Sequence, residues 1–374
     1  MLDNVTDNNA SSEQMEQCGS PTVVTFQYYA WGIGANIVSC FGIIGNILSI
    51  TVLSHRQMRN STSYYLISLA VYDMVLLLFM SLFLALPTIY LEKDLLEGYY
   101  FAYRYMHPFV YPVALIAQTG TVYTTLAFTV ERYIAVCKPL HAANTCTMSR
   151  TKRVIVIIFI ASIVYNIPRF LEYKTTTEWS DYYNRTVPTI QYTTIGSNKI
   201  FQEVYFIYAY LCIMFLLPFS VLTVLNILLI QAVRKARAKR NCMSSSNSKD
   251  TNLTVMLIVV INVFLGCQLP ALIDNIVFAI FDHQVLQCSV HWVQFTTISN
   301  LLVVFNSAIN FILYCLLSKR FRRLFLKRFC IRKKEPKFKY MYSVRQSSVY
   351  IRNGQIRVYG NNTTNVFDVT TSLL

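Results

Sequence analysis

The chain has 374 residues, of which 54% are hydrophobic and only 14% are charged. Soluble globular domains carry about 25% charged residues, so this composition excludes an ordinary soluble domain and indicates a membrane protein. The formal net charge of +15 points to an anionic partner, either nucleic acid or the surface of a membrane.

Seven apolar segments are each close to the ~20 residues that a helix needs to cross a bilayer. They cover residues 26–53, 64–91, 106–136, 154–171, 204–233, 253–281 and 290–317. The sequence therefore predicts an all-α integral membrane protein. Residues 26–317 would form a seven-transmembrane helix bundle, preceded by an extracellular segment, residues 1–25.

Lysine and arginine residues set the predicted orientation. When alternate loops are assigned to opposite sides, 27 of the 33 Lys and Arg residues fall on one side and six on the other. The positive-inside rule places the basic side in the cytoplasm and the amino terminus outside. The charge then suits anionic membrane lipid, and a nucleic-acid partner is not expected.

The second and seventh segments carry polar side chains within the membrane. Asp73 lies about three turns inside the second segment, and an intramembrane carboxylate is costly enough to indicate a function. Four polar residues lie on or near one face of the seventh segment, so that face is expected to contact protein and not lipid. They are Asn306, Ser307, Asn310 and Tyr314.

The third segment has a polar stripe and a charged end. Its polar residues recur every three or four positions, which puts them on one helix face: Gln118, Thr121, Thr125, Thr129 and Arg132. The helix then reaches Glu131-Arg132-Tyr133, and Pro139-Leu140 follows. This combination resembles the third helix of rhodopsin-like (class A) G-protein-coupled receptors, whose acid-Arg-Tyr triad contacts the G protein. The alternative is an ordinary helix end whose charged side chains reach toward water.

The resemblance implies a cation site in the middle of the bundle. In the family, the positions that match Asp73, Thr121, Asn306 and Asn310 surround a sodium ion and a water network. Hard oxygen ligands such as these suit sodium. The alternative is a hydrogen-bonded packing cluster that holds no ion. No other cofactor is expected.

The sixth and seventh segments carry variants of two family motifs. Residues 264–270, Phe-Leu-Gly-Cys-Gln-Leu-Pro, are similar to the family's Phe-x-x-Cys-Trp-x-Pro, with Gln268 in place of Trp. Pro270 removes a backbone hydrogen bond and is expected to give the helix a hinge. The run from Asn310 to Tyr314 is similar to Asn-Pro-x-x-Tyr without the Pro.

An acid near the cytoplasmic end of the sixth helix is expected to hold the inactive state. Asp250 precedes Pro270 by 20 residues, about 30 Å along a continuous helix and near the expected depth of Arg132. In the family a matching acid often pairs with the triad Arg and closes the G-protein crevice. Arg132 would then have two anions, Glu131 and Asp250. Alternatively, Asp250 faces solvent and favours the helix dipole.

The sequence after the seventh helix predicts a membrane-surface helix and a tail. Basic and apolar residues alternate with helical spacing in residues 318–330, which indicates a short amphipathic helix on the inner leaflet, with Cys330 a palmitoylation candidate. Residues 331–374 are expected to be a disordered cytoplasmic tail. The resemblance implies that receptor kinases phosphorylate this tail and that arrestin binds it. Candidate sites are Ser343, Ser347, Ser348, Thr363, Thr364, Thr370, Thr371 and Ser372.

Three features narrow the kind of receptor. Aminergic receptors need an acid at the position of Ala114, and opsins need a Lys in the seventh helix, which residues 289–317 lack. Most class members also join a Cys at the position of His107 to a Cys in the following outer loop, and residues 169–203 contain none. Several runs are similar to the invertebrate FMRFamide neuropeptide receptors. They are residues 105–108, 114–120, 165–170 and 306–311.

The resemblance implies a plasma-membrane receptor that binds an amidated, Arg-containing, FMRFamide-like peptide. This receptor would signal to a heterotrimeric G protein. The predicted outer segments and their flanking helix ends hold twelve acids and six bases, which favours a cationic ligand. Asp274, with Asn275 beside it, is expected to pair with the ligand's arginine. Gln118 and Gln268 are expected to lie deeper in the cavity. The alternative is that Asp274 is hydrogen-bonded within the sixth and seventh helices.

Two competing hypotheses are a receptor for another ligand class, and a transporter or channel whose polar residues line a path. The sequence has no internal repeat and no Gly- or Pro-broken paired helices, which argues against a transporter. It also shows no convincing nucleophile-base or metal-ligand constellation, so no enzyme activity is expected.

Modification sites are expected on the outer side. Glycosylation sequons lie there at Asn4, Asn9 and Asn184. Of the ten cysteines, only Cys18 and Cys288 fall in predicted outer segments, where they are either bridged to each other or free.

Overall fold

The computed structural model describes residues 21–93, 97–181, 184–242, 248–281, 286 and 289–330, and four short tail stretches, 343–344, 347–352, 355–360 and 363–368. Within these residues, seven helices are long and apolar enough to cross a membrane, which confirms the predicted fold class. They are α1 (Pro21–Leu53), α2 (Ser61–Ile89), α3 (Glu97–Cys137), α4 (Met148–Leu171), α5 (Lys199–Lys235), α6 (Thr254–Ile280) and α7 (Val290–Leu317). The α6 helix itself already begins at Ser248 and continues through Pro270.

Several helices begin before the apolar part of their sequence. α3 starts at Glu97 and not at residue 106. α2 starts early because the Asn60 side chain caps it by accepting a hydrogen bond from the Ser63 backbone N–H at 2.8 Å. Hydropathy marks only the part of a helix that suits lipid, whereas a capping side chain marks where the helical backbone begins.

α3 is the central helix of the bundle. It contacts α2, α4, α5 and α6, and it is the most buried of the seven spans. Gly120 of α3 lies against the ring of Tyr72 on α2, so that a Cβ at this position would overlap with the ring. Gly42 of α1 lies against Ala308 of α7 in the same way. Small residues therefore set the closest helix contacts, as is common in membrane bundles.

A β-hairpin that the sequence did not predict lies between α4 and α5. β1 (Tyr173–Ser180) pairs antiparallel with β2 (Arg185–Tyr192), and Tyr173 lies opposite Tyr192. Both strands are rich in Thr, a β-branched residue that favours strands, but they are too polar to stand out in a hydropathy pattern. The end of the bundle that carries this hairpin is called the hairpin face below, and the opposite end is called the basic face.

A short helix follows α7, as predicted. α8 (Lys319–Phe325) continues as one π-helical turn, Leu326–Cys330. The Ser318 hydroxyl caps it by accepting a hydrogen bond from the Phe321 N–H at 3.2 Å. Phe321 is fully buried against the rings of Phe311 and Tyr314 on α7, at centroid distances of 6.0 and 5.7 Å. The apolar side of the amphipathic pattern therefore fixes the start of α8 to the bundle.

The tail contains regular structure that the sequence analysis did not expect. Four antiparallel strands follow one another as β3 (Ser343–Val344), β4 (Ser347–Arg352), β5 (Gln355–Gly360) and β6 (Thr363–Asp368). They belong to a second compact unit, residues 323–374. The prediction of disorder overlooked alternating apolar residues on both sides of Asn353-Gly354, which is a strong hairpin signal. Residues 331–342 and 369–374 lie outside the described residues.

Candidate ligand and switch sites

The residues predicted to bind the ligand are buried in the bundle toward the hairpin face. Gln118, Gln268 and Asp274 expose 8%, 3% and 8% of their surface. The Gln118 side chain on α3 hydrogen-bonds to Tyr210 on α5. Asn275 is oriented differently, since its Nδ2 donates to the Ala271 carbonyl of its own helix at 2.7 Å. Gln118 therefore joins α3 to α5, whereas Asn275 bonds only within α6 among the described contacts. Asp274 joins α6 to α7, as described next.

Asp274 has a partner on the neighbouring helix. The Thr296 hydroxyl on α7 donates a 2.6 Å hydrogen bond to its Oδ1. This matches the alternative in which Asp274 is hydrogen-bonded within the sixth and seventh helices. A carboxylate has about four acceptor positions, so one hydroxyl leaves it able to bind a further donor. One turn away on α7, the buried Nε1 of Trp292 has no hydrogen-bond partner among the described residues. This corner offers an anion and an unused N–H donor.

In the middle of the bundle, Asp73 joins three helices. It is fully buried, and it accepts hydrogen bonds from the Thr121 hydroxyl of α3 at 3.1 Å and from Asn310 Nδ2 of α7 at 2.8 Å. Asn306 is also buried, but the described contacts of the carboxylate do not include it, and the second α7 side chain beside the carboxylate is that of the next residue, Ser307. The structure therefore brings together three of the four residues predicted to surround a cation.

At the basic face, the Glu131 carboxylate is the centre of a buried network. Its Oε1 accepts a 2.8 Å hydrogen bond from Arg132 Nη2. Its Oε2 accepts hydrogen bonds from the hydroxyls of Ser61 on α2 and Thr151 on α4, the latter at 3.1 Å. Glu131 therefore holds α2, α3 and α4 together, and Arg132 is already paired with an anion. The Nε of Arg132 is buried and has no partner among the described residues.

The other predicted switch residues lie near these sites or outside the described part. Tyr314 is fully buried against Phe321, and Tyr133 is partly exposed at the basic face. The backbone of Asp250 belongs to α6, but its side chain lies outside the description, so the expected pair with Arg132 stays a prediction. The same holds for the side chain of Cys330. Asn4, Asn9, Cys18 and Cys288 lie outside the described residues, while Asn184 is exposed beside the hairpin turn.

The sequence profile of the 7 transmembrane receptor (rhodopsin family) matches residues 45–314. The chain belongs to this receptor family. It is 34% identical over 304 residues to an FMRFamide receptor of Drosophila melanogaster, covering 80% of this chain and 54% of that protein. It is 30% identical over 294 residues to an FMRFamide peptide receptor of Caenorhabditis elegans, covering 77% and 66%. The sex peptide receptor of Drosophila melanogaster is 28% identical over 369 residues, covering 89% and 80%. The receptor therefore spans about half the length of the first of these relatives.

The central polar cluster of this receptor has the chemistry that a sodium ion requires. Its donors are hard oxygens, supplied by the Asp73 carboxylate and the Thr121 and Ser307 hydroxyls. Nearby, Asn46 donates to the Ser307 carbonyl at 3.0 Å, and its own buried Oδ1 has no partner among the described residues. The described residues contain no group of three or more His, Cys, Asp or Glu suited to a metal. A single carboxylate fits a monovalent cation better than a divalent one.

Three residues at these sites were not singled out from the sequence of this receptor. Thr296, Ser61 and Thr151 each bind a predicted site residue, yet each is one hydroxyl among many in polar helix turns. A pairing between helices depends on how each helix is rotated about its axis, and a helical pattern alone does not fix that rotation. The only available signal was the position of Ser61 and Thr151 near the ends of their helices, at the depth of Glu131.

Proposed function

We propose that this chain is a plasma-membrane receptor for an amidated, FMRFamide-like peptide that contains arginine, with its hairpin face outside the cell, and that it activates a heterotrimeric G protein. The observation that carries the proposal is its similarity to two FMRFamide receptors from different phyla over more than three quarters of the chain. The basic composition of the opposite face supports the orientation. The excess of acids in the predicted outer segments supports a cationic ligand.

Asp274 is the residue to which the peptide's arginine binds in this proposal. The guanidinium replaces the Thr296 hydroxyl as the partner of Asp274, which exchanges one neutral hydrogen bond for a charge-assisted one. The Nε1–H of Trp292, which has no partner among the described residues, then donates to a carbonyl oxygen of the peptide. Gln118 and Gln268 supply amide groups deeper in the bundle, where the peptide's carboxamide is a matching partner.

Signal transmission follows from the position of Pro270. Asp274 lies four residues, about one turn, beyond Pro270 on α6. A ligand that pulls Asp274 away from Thr296 on α7 therefore acts next to the hinge, and a small rotation there becomes a large displacement at the basic end of α6. That displacement opens the crevice beside Arg132, which leaves Glu131 and contacts the G protein. Asp73, Thr121 and Ser307 would hold the sodium ion, whose charge neutralises Asp73 and favours the closed bundle.

The decisive experiment uses the tetrapeptide Phe-Met-Arg-Phe-amide and an analogue with citrulline in place of arginine. Citrulline keeps the shape of arginine and removes its charge. In membranes reconstituted with the receptor and a G protein, we expect nucleotide exchange with the first peptide and no ion flux. Truncating one partner of a buried charge pair weakens the free energy of binding by about 2–5 kcal/mol. Asp274→Asn and the citrulline peptide should each weaken peptide binding by that amount.

A double-mutant cycle tests the pairing. If the arginine binds Asp274, citrulline causes little further loss in the Asp274→Asn receptor. Asn262→Ala is the matched control, because Asn262 lies on the same helix and donates only to its own backbone at Ile258. Equal citrulline losses in wild type and Asp274→Asn would refute the pairing. Ion flux without nucleotide exchange would refute the receptor function and favour a transporter or channel.

The proposed intracellular partners act on the tail. Receptor kinases would phosphorylate Ser and Thr residues there, and arrestin would bind the product. Palmitoylation of Cys330 and anionic lipid would hold the basic side of α8 to the inner leaflet. Glycans on Asn4, Asn9 and Asn184 would lie outside the cell.

A further inference from the structure

A buried ion pair lies where α3, α4, α5 and the base of the β-hairpin meet. Arg169, near the end of α4, donates from Nη1 to Glu172 Oε2 at 3.0 Å, and the two side chains are only 8% and 5% exposed. Burial raises the pKa of the Glu172 carboxyl, and the Arg169 cation opposes that rise. Each charge therefore depends on the other, because either one left alone would be buried without compensation.

The Arg169 guanidinium also contacts aromatic rings of α5. Its carbon lies 4.3 Å from the ring centroid of Phe206 and 5.3 Å from that of Tyr210. A planar guanidinium is well suited to such faces, and the attraction is stronger where water is excluded. Tyr210 also hydrogen-bonds to Gln118. The ion pair is thus continuous with the proposed ligand pocket.

The residue after Glu172 attaches the hairpin to α3. The ring of Tyr173 packs edge-on against His107 of α3 at 5.3 Å, and it stacks on Tyr192 of the opposite strand at 4.9 Å. His107 in turn lies parallel to Tyr111 at 5.4 Å. His107 occupies the position from which most members of the receptor class form a disulfide to this loop, and residues 169–203 contain no cysteine.

We propose that these residues form a noncovalent anchor that holds the β-hairpin against three helices and so positions it over the ligand pocket. The hairpin anchor consists of Arg169, Glu172, His107, Tyr173, Phe206 and Tyr210. An isolated two-stranded hairpin is only marginally stable in water, so its order depends on attachment to the bundle. The anchor supplies the buried part of this attachment, and Arg104 of α3 adds hydrogen bonds to Pro188 at 2.7 Å and from Thr175 at 2.6 Å. The anchor residues position the hairpin and need not touch the ligand. The part that concerns ligand binding rests on the proposed function.

Hydrogen–deuterium exchange on the purified receptor tests the anchor without a ligand. In Arg169→Gln, we expect the backbone amides of β1 and β2 to exchange about tenfold faster than in wild type. The matched control is Arg185→Gln. Arg185 lies on β2 of the same hairpin and pairs with Glu97 of α3, but the two side chains are 53% and 48% exposed, so the loss of this pair should leave exchange nearly unchanged. Arg169→Lys keeps the charge but loses the planar stacking, so its exchange rate should be faster than that of wild type and slower than that expected for Arg169→Gln. It is the test variant if Arg169→Gln does not fold.

The outcomes separate the anchor from the proposed function. Hairpin exchange in Arg169→Gln or Arg169→Lys that is no faster than in Arg185→Gln would overturn the anchor, whatever the peptide does. If Phe-Met-Arg-Phe-amide does not bind wild type, the proposed ligand is wrong, while the exchange data still decide the anchor. If exchange accelerates and the peptide's affinity is unchanged, the hairpin does not position the ligand. We expect faster exchange and an affinity loss of about tenfold or more in Arg169→Gln alone.

Discussion

The two ends of the bundle hold their buried charges in different ways. At the basic face, Glu131 is bound by one neighbouring cation and by two hydroxyls from other helices. At the hairpin face, the Arg169–Glu172 pair is covered by aromatic rings. Hydroxyl bonds are few and directional, so they favour discrete pairings that can be exchanged. Ring contacts are broad and weakly directional. The basic face is therefore suited to switching, and the hairpin face to holding a shape around a ligand.

The largest effect separating the two faces should come from Arg132→Ala. We expect it to abolish G-protein nucleotide exchange, because it removes the cation that contacts the G protein in the proposed function, while peptide binding at the other face changes little. Arg150→Ala is the control, since Arg150 is exposed at the same face. Radioligand binding and nucleotide exchange on the same membranes check both statements. Nucleotide exchange that persists in Arg132→Ala would show that Arg132 is not needed to activate the G protein.

The Ser61 hydroxyl at the basic face should contribute measurably to the stability of the receptor. Ser61→Ala leaves Glu131 with one fewer donor, and an unsatisfied buried group costs about 1–3 kcal/mol. We expect a lower thermal unfolding temperature of the ligand-free receptor. Ser220→Ala removes an exposed hydroxyl that bonds to its own helix at Leu216, and it should have little effect. Equal shifts in the two variants would mean that the Glu131 network is not specially dependent on its hydroxyls.

The central cluster between the faces should respond to sodium. If sodium binds beside Asp73, replacing choline by sodium at constant ionic strength should stabilise wild type by about 1 kcal/mol, or roughly 2–4 °C in unfolding temperature. Asp73→Asn should lose this response. Because Ser307 lies beside the carboxylate, Ser307→Ala should reduce the response more than Asn306→Ala does. A wild type that is indifferent to sodium would favour a packing cluster without an ion.

The smallest effect is expected at Asp250. If it pairs with Arg132 in the inactive state, Asp250→Asn removes a contribution of about 1 kcal/mol, because the site is close to water. That corresponds to a several-fold shift toward the active state and to higher ligand-free nucleotide exchange. The comparison must be made at matched surface expression. Unchanged or lower basal exchange would show that Glu131 alone holds Arg132.

Length and hydropathy along the sequence were enough to predict the seven spans. The grouping of Asp73 with Thr121 and Asn310, which lie on three different helices, came from the family resemblance and not from spacing along one helix. The sequence did not predict contacts that depend on the rotation of two helices relative to each other. Thr296 beside Asp274 is one example, and Ser307 in place of Asn306 is another, since adjacent residues on a helix point about 100° apart. The β-hairpin was overlooked because its polar, Thr-rich strands have neither a membrane signal nor a short Gly-containing turn.

Asn184, beside the hairpin turn, has a backbone φ of 47°. This left-handed conformation costs most residues about 1–2 kcal/mol, and Asn tolerates it better than they do. If Asn184 is glycosylated, replacing the sequon Asn by Gln would therefore disturb the turn as well as remove the sugar. Thr186→Ala removes the same sequon from an exposed strand position and leaves the turn backbone as it is. Comparing Asn184→Gln with Thr186→Ala would separate the effect of losing a glycan from the effect of disturbing the turn.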